Sequence, residues 1–211
     1  MNDDLYARTT RNRLEIADFL ESLHPGQWTA ETLCKGWTVR HMAGHFVQPM
    51  LISFGRFFLT SIRYRGNTAA TADHFARTLA NRAPTDLISL LRQHALDRLD
   101  PPRVGPIGPF AETCIHLRDI ARPLNLEADA RQEDWLTLLR YLTGDRVAPA
   151  LMPAGRFDGL RLVATDADWQ HGNGAAINGT MEALTMAITG RQAALHDLEG
   201  PGAETLRDRI V

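Results

Sequence analysis

The sequence has few cysteines, no long apolar run and no sign of a signal peptide, and each of these absences excludes a class of protein. It contains two cysteines, Cys34 and Cys114, which form no Cys-x-x-Cys pair and cannot build a zinc finger by themselves. No apolar run approaches the roughly 18 residues that a spanning helix needs, so no membrane partner is expected. The start of the chain is acidic and polar, which argues against a signal peptide and favours a cytoplasmic location.

A strong excess of charge of either sign is also missing. The formal net charge is -2 over 211 residues, so no basic surface predicts a nucleic-acid partner. Lys35 is the single lysine, and arginine supplies the other basic residues, which is typical of a GC-rich genome. With 44% hydrophobic residues, the chain can bury a sizeable core.

Hydrophobic periodicity predicts helices through the first two thirds of the chain. They cover residues 3–23, 39–64 with a kink or break near Gln48, 71–82, about 84–99, 110–124 and 133–142. The last third is typical of short strands at 160–165 and 175–177, separated by a turn, and of helices at 180–188 and 203–210. The sequence therefore predicts a mainly α protein: a helical bundle over residues 1–145, with a small C-terminal α/β region, residues 146–211, packed on it.

Two potential metal ligands lie four residues apart in the predicted helix 110–124. Glu112 and His116 share one helix face at this spacing. Carboxylate oxygen and imidazole nitrogen both bind zinc, and one more ligand would leave the open position of a catalytic metal. His45 is the obvious third donor, because an imidazole in an apolar stretch needs a partner.

These residues also have plainer interpretations. A Glu–His pair on a helix is often a solvated hydrogen bond, and His45 would then be a core histidine bonded to a backbone carbonyl. His41 and His45 form a second pair at i,i+4 spacing, so a different ligand set is conceivable.

The Gly172–Gly174 run lacks the helix start of a phosphate loop and is interpreted as a turn between strands. The sequence has no Gly-x-Ser-x-Gly motif, which argues against a serine hydrolase.

Two segments carry a resemblance to a known family. Residues 34–45, Cys-Lys-Gly-Trp-Thr-Val-Arg-His-Met-Ala-Gly-His, resemble the Cys-x-Gly-Trp-Thr-Val-Arg-Asp-x-x-x-His signature of the mycothiol-dependent maleylpyruvate isomerase family. Residues 112–119 resemble its Glu-x-x-x-His-x-x-Asp motif, and the tail from Leu160 to Arg191 is also similar. The resemblance covers most of the chain and is weakest over residues 52–103. It departs at position 41, where the family usually has Asp and this chain has His41.

The resemblance implies both a fold and a metal site. The family belongs to the DinB-like (YfiT-like) metalloprotein superfamily, so we expect a DinB-like four-helix bundle of the up-down-down-up type with a small C-terminal α/β appendage. The family's metal ligands correspond to His45, Glu112 and His116, with zinc as the usual metal and nickel as an alternative. In the namesake enzyme, the low-molecular-weight thiol mycothiol assists the cis–trans isomerisation of maleylpyruvate. Mycothiol is typical of actinobacteria, whose GC-rich genomes agree with the arginine bias.

The function implied by the resemblance is a metal-dependent isomerase, or an S-transferase if the substrate carries a leaving group or an epoxide. Its partners would be a small electrophile and a thiol, and Arg40, Arg118 and Arg122 are candidates for holding a carboxylate. A thiol coordinated to a dication becomes a thiolate, the form that adds to a conjugated double bond. Two alternatives stay open: a metal-binding or stress-response protein without turnover, and a hydrolase with an activated water. Whether the protein is a monomer or a homodimer is open as well.

Overall fold

A computed structural model describes residues 2–102, 104–145, 147–149 and 151–210. The chain forms two compact units, one extending to Ala130 and the other beginning at Arg131. This division lies earlier than the predicted boundary after residue 145, and residue 146 lies outside the described residues. Within the described part, no helix has the length and apolar character needed to cross a membrane.

Helices provide the regular structure of the N-terminal unit. They are α1 (Asn2–Ser22), a 3-10 helix (Pro25–Thr29), α2 (Val39–Leu51), α3 (Phe54–Arg63), α4 (Thr68–Leu79), α5 (Pro84–Gln93) and α6 (Ile107–Ala121). Helix α1 packs against α5 and α6, and α2 packs against α4, α5 and α6. Their apolar stripes meet in a core that includes five side chains at most 1% exposed: Ile16, Leu20, Met42, Leu91 and Ile120. Burying each such side chain contributes roughly 1.5–3 kcal/mol.

The helical stretch predicted over residues 39–64, with a kink or break near Gln48, is two helices in the structure. Helix α2 continues past Pro49 to Leu51, so the break falls later than the expected kink. Helix α3 begins after Ser53, whose hydroxyl accepts from the backbone N–H of Arg56 at 3.3 Å. This cap satisfies a donor at the helix start and so favours a new helix over continuation of the old one.

Gly44 allows α2 and α4 to approach closely. A Cβ atom at this position would lie 2.5 Å from the carbonyl oxygen of Ala76 and 3.0 Å from the backbone nitrogen of Ala80. Contacts this short require a residue without a side chain. Gly44 therefore fixes one face of α2 against α4, while the next residue, His45, meets α6.

The C-terminal unit combines helices with a small sheet. Its elements are α7 (Gln132–Leu142), β1 (Leu160–Ala164), β2 (Gln170–Gly172), β3 (Ala175–Gly179), α8 (Met181–Ile188), a 3-10 helix (Gln192–Asp197) and α9 (Ala203–Ile210). The strand order is β2-β1-β3, with β1 antiparallel to β2 and parallel to β3. Helix α7 belongs with this unit because it packs against α8. The prediction of a mainly α protein with a small C-terminal α/β region is confirmed.

Strand β2 lies in a segment that the sequence interpretation treated as a turn. His171 pairs with Leu162 of β1 across the ladder. Gly172 and Gly174 follow with φ angles of 87° and 120°, which disfavour residues with side chains. Cβ atoms there would also collide with the carbonyl oxygens of Leu160 and Gly159. The glycine run is therefore the turn between strands that its composition predicted.

Candidate metal centre

The three side chains predicted as metal ligands lie together where α2 meets α6. His45 Nε2 is 3.9 Å from Glu112 Oε1. The rings of His45 and His116 lie edge to face, with their centroids 5.0 Å apart. The i,i+4 spacing places Glu112 and His116 on one face of α6, and the packing of α2 on α6 brings His45 to that face. Their role as ligands stays a prediction, which this juxtaposition supports.

The cluster is buried on one side and open on the other. The side chains of His45 and His116 are 10% and 14% exposed, whereas that of Glu112 is 38% exposed. A catalytic metal needs protein ligands that are held rigidly and one position that substrate or water can reach. The difference in exposure between the imidazoles and the carboxylate satisfies both requirements.

The tautomer of His45 is set by Gln48. Its Nδ1 lies 3.3 Å from the carboxamide oxygen of Gln48, so Nδ1 donates and the Nε2 lone pair lies on the side of Glu112. Burial lowers the pKa of His45, against the opposing effect of the Glu112 charge. The neutral imidazole is the form that binds a metal. The ring also packs against Trp37 at 5.1 Å, and Trp37 donates from Nε1 to Asp73 at 2.7 Å.

The orientation of His116 is set by Asp119. The Nδ1 atom of His116 donates to Oδ2 of Asp119 at 2.8 Å, and Asp119 is fully buried. Burial alone would lower the pKa of His116, but the hydrogen bonds with Asp119 and Cys34 raise it to about 10. Because Nδ1 is engaged, Nε2 is the nitrogen left for a ligand, and a metal would displace the proton that this pKa keeps on it at neutral pH. Carboxylate partners of this kind orient metal-binding imidazoles and raise their basicity.

A second group of potential ligands overlaps the first. The candidate ligand atoms of Cys34, His116 and Asp119 all lie within 4.8 Å of one another. The Cys34 thiol donates to Asp119 Oδ2 at 3.3 Å and lies 3.9 Å from His116 Nδ1. Ligand atoms of a tetrahedral zinc lie roughly 3.3 Å apart, given bonds of about 2.0–2.1 Å. The 2.8 Å between His116 and Asp119 is a hydrogen-bond distance, so we interpret Asp119 as the partner of His116 rather than as a ligand.

His41 contributes to the start of α2 rather than to the cluster. The backbone N–H of Thr38 donates to His41 Nδ1 at 3.0 Å and completes a capping box. The side chain is half-buried, and burial lowers its pKa, which keeps Nδ1 an acceptor. A carboxylate could accept the same bond, so an Asp at this position could serve as the same capping acceptor. This capping role accounts for the position of His41 without a metal.

Arg40, predicted as a substrate-binding residue, lines a cavity of about 260 Å³ together with His41 and Arg77. Its guanidinium donates to the carbonyl oxygen of Arg82 at 2.7 Å, which joins the start of α2 to the turn between α4 and α5. A role in holding a carboxylate stays a prediction for Arg40.

The other two predicted arginines follow His116 in sequence. Arg118 donates from Nη1 to the carbonyl oxygens of Leu126 and Ala128, which fixes the chain after α6. Arg122 is the C-cap residue of α6. Substrate binding by these two residues stays a prediction, and the contacts of Arg118 indicate a structural contribution as well.

Four residues of the cluster's surroundings received no role from the sequence. The sequence could have predicted the contact of Asp119 with His116, because the His-x-x-Asp spacing places the two residues one helical turn apart. Gln48 stands in the same i,i+3 relation to His45. Apart from the family signature, no sequence pattern predicted that Cys34 and Trp37 lie beside the cluster, since the fold of the loop before α2 decides their positions.

Fold and cluster together define the class of the protein: a helical bundle that gathers two imidazoles and a carboxylate between two of its helices. Residues 10–106 match the family model described as the mycothiol maleylpyruvate isomerase N-terminal domain. The resemblance predicted from the sequence is confirmed over this region. His45 lies inside the matched region, whereas Glu112 and His116 follow it.

Two solved structures share the fold over nearly the whole chain. One is the crystal structure of the mycothiol-dependent maleylpyruvate isomerase, with a TM-score of 0.62, 12% identity, and coverage of 96% of this chain and 94% of that chain. The other is a histidine-to-alanine mutant of an enzyme with the same name, with a TM-score of 0.60, 11% identity and the same coverage. At these identities the likeness shows the fold alone. No curated protein gives a significant match.

Proposed function

We propose that this protein is a metal-dependent enzyme that uses a low-molecular-weight thiol to isomerise or S-conjugate a small electrophile. The observation that carries the proposal is the convergence of His45, Glu112 and His116 on one open-sided cluster. The N-terminal family match and the names of the two similar structures favour mycothiol as the thiol and a maleylpyruvate-like substrate. A cytoplasmic location stays part of the proposal.

The donor set suits a divalent metal of the zinc type. Two imidazole nitrogens and one carboxylate oxygen match catalytic zinc sites, and such sites also accept nickel. When bound, the metal would lower the pKa of a coordinated thiol and keep it as the reactive thiolate. Gln48 and Asp119 each hold the outer nitrogen of one imidazole, so both rings present a fixed inner nitrogen.

The remaining residues shape the space in which the reaction would occur. Trp37 and Phe46 pack against the two imidazoles and exclude water from the protein side of the cluster. The exposed side at Glu112 is left for the thiol and the electrophile. In the proposed reaction the thiolate adds to one carbon of the cis double bond, and the resulting single bond rotates. Expulsion of the same thiolate re-forms the double bond in the trans geometry, so the thiol is not consumed.

Metal analysis of protein purified without an affinity tag tests the metal assignment. We expect close to one equivalent of zinc or nickel, and less than about a tenth of an equivalent in the His116→Ala variant, because metal binding needs every ligand. The matched control is His94→Ala, since His94 and Asp97 form the same i,i+3 pair at 2.8 Å and neither is a predicted ligand. Metal-free wild-type protein, or equal metal in both variants, would contradict the proposal.

A conjugation and isomerisation assay tests the chemistry. Mycothiol with maleylpyruvate and a panel of electrophiles should give turnover that is lost in His116→Ala. Activity without any thiol would instead indicate metal-assisted hydrolysis. If no thiol supports turnover, and a chelator lowers the melting temperature greatly, the metal stabilises a binding protein.

A further inference from the structure

Helix α3 has an apolar face that no described residue covers. Its side chains Phe54, Phe58, Leu59 and Ile62 are 64%, 56%, 68% and 62% exposed. Phe54, Phe58 and Ile62 follow one another at four-residue spacing and form one stripe, which Leu59 widens. Four large exposed apolar side chains within ten residues make a contiguous patch, and such patches mark interaction surfaces.

The opposite face of α3 is anchored to the protein. Ser61 is buried, and the ring of Phe57 stacks on Phe75 of α4 with the centroids 6.1 Å apart. Ser53 caps the first turn. The exposed face therefore belongs to a helix that is already formed and docked, so a partner would find it ready for binding.

The charged residues on α3 and just after it have one sign. Arg56, Arg63 and Arg65 are exposed on α3 and just after it. From Thr32 to Ala72 the sequence contains no Asp or Glu, and its basic residues are Lys35, Arg40, Arg56, Arg63 and Arg65. The chain as a whole carries a formal net charge of -2, so this positive stretch is a local feature. The patch is complementary to an anionic partner.

A groove beside α3 combines the same two properties. It has a volume of about 310 Å³ and is lined mainly by apolar side chains, among them Leu51, Ile52 and Leu79. Two arginines, Arg56 and Arg82, also line it, and the Arg56 guanidinium lies over the ring of Phe75 at 5.6 Å. Apolar walls beside guanidinium groups suit a hydrocarbon chain attached to an anionic group.

We infer that α3 and this groove form a docking surface for a membrane rich in anionic phospholipid. A helix that lies in the membrane interface needs large apolar residues on one face and basic residues beside them, and α3 has both. Its arginines would contact lipid phosphates while Phe54, Phe58 and Ile62 enter the region below them. The sequence excludes a spanning helix, and this inference concerns a helix that lies on the surface.

A second copy of this chain fits the patch less well. Two α3 faces packed on each other would bring their arginines together, and residues 32–72 offer no acidic side chain to pair with them. Helix α3 carries none of the three predicted metal ligands. The inference is therefore separate from the proposed thiol chemistry and can fail or succeed without it.

Vesicle flotation of the full chain tests the inference. We expect the protein to float with vesicles of phosphatidylglycerol and phosphatidylcholine but not with phosphatidylcholine alone, and binding should weaken as salt rises. The Phe58→Gln/Leu59→Gln variant should bind at least tenfold more weakly, on the order of the effect of losing two buried apolar side chains. Arg63→Gln/Arg65→Gln should lose the preference for anionic vesicles.

The chain supplies matched controls for both pairs of substitutions. Leu96 is 79% exposed outside α3, and Leu96→Gln should bind like the wild type. Arg98→Gln, which removes a positive charge elsewhere, should do the same. Circular dichroism checks that each variant is folded, and Ile62→Gln replaces the double variant if that one is not.

Three results would overturn the inference. They are no flotation of the wild type, equal binding by the α3 variants, and a concentration-dependent dimer that the α3 variants abolish while no vesicle is bound. The last result would assign the patch to a second copy of the chain, and sedimentation velocity would detect it.

Discussion

His116 and Asp119 form a buried hydrogen bond of 2.8 Å, in which the imidazole Nδ1 donates to a carboxylate with no exposed surface. His94 and Asp97 repeat this pair at the same spacing and the same distance, but on the surface. The buried pair differs because His45 and Glu112 lie beside it. The protein therefore contains one His-x-x-Asp pair at the candidate metal centre and one that serves as an internal control.

Asp119→Asn should weaken metal binding without removing a ligand. An amide supports the His116 ring less well and lowers its basicity, so we expect a loss of about 10- to 100-fold in zinc affinity. Competition with a fluorescent chelator measures this. Asp97→Asn should leave the affinity unchanged, and an unchanged affinity in Asp119→Asn would show that the carboxylate does not support a metal ligand.

Gly44→Ala should destabilise the N-terminal unit. The added methyl group would lie 2.5 Å from the carbonyl oxygen of Ala76, so α2 and α4 must separate. We expect a loss of about 1–3 kcal/mol in the free energy of unfolding, measured by urea denaturation. Gly55→Ala in α3 is the control, since nothing lies within 4 Å of its Cβ position. That change should be neutral or gain up to about 1 kcal/mol from helix propensity.

Asp73 should contribute stability that depends on pH. Burial would raise the pKa of its carboxyl, but hydrogen bonds from Arg77 at 2.9 Å and Trp37 at 2.7 Å lower it below 3.8. A carboxyl with a lowered folded pKa stabilises the protein above its unfolded pKa, and this contribution is lost as the pH falls through the folded pKa. Wild type and Asp73→Asn should therefore differ by at most about 1 kcal/mol at neutral pH, since the pair is partly exposed.

Urea denaturation of both proteins across the acidic range measures this difference. It should shrink as the pH falls below 3.8. In the Trp37→Phe background, Asp73→Asn should cost less, because one of the two donors is already gone. A difference that grows towards acid would contradict the assignment.

His41 should be replaceable by an acid but not by alanine. His41→Ala removes the acceptor for the Thr38 N–H and should cost about 0.5–1.5 kcal/mol in the free energy of unfolding. His41→Asp should keep the stability, because a carboxylate accepts the same bond and suits the positive end of a helix. Thermal unfolding compares the two variants. Zinc content should be unchanged in both, and its loss would instead support a ligand set that contains His41.

Local patterns predicted most of the helices and the three candidate ligands. The spacing of Glu112 and His116 is a property of one helix, and the family signature around His45 is contiguous in sequence. These patterns depend only on residues within one or two helical turns. Because helix geometry is fixed, the same residues lie on one face in the folded protein.

Features that depend on contacts between distant segments could not be predicted from local sequence patterns. The end of α2 at Leu51, the pairing of β2 with β1, and the packing of α7 with α8 are each decided by a partner elsewhere in the chain. The same holds for the Cys34 thiol, which reaches Asp119 only because the loop before α2 folds over α6.

The sequence by itself determined the class of fold, the resemblance of the N-terminal region to a known family and which residues could bind a metal. The tertiary structure decided that His45 meets Glu112 and His116, that Gln48 and Asp119 hold the two rings, and that the apolar face of α3 stays exposed. The physical reason is that periodicity specifies which face of a helix is apolar or carries ligands. Packing alone specifies what that face contacts.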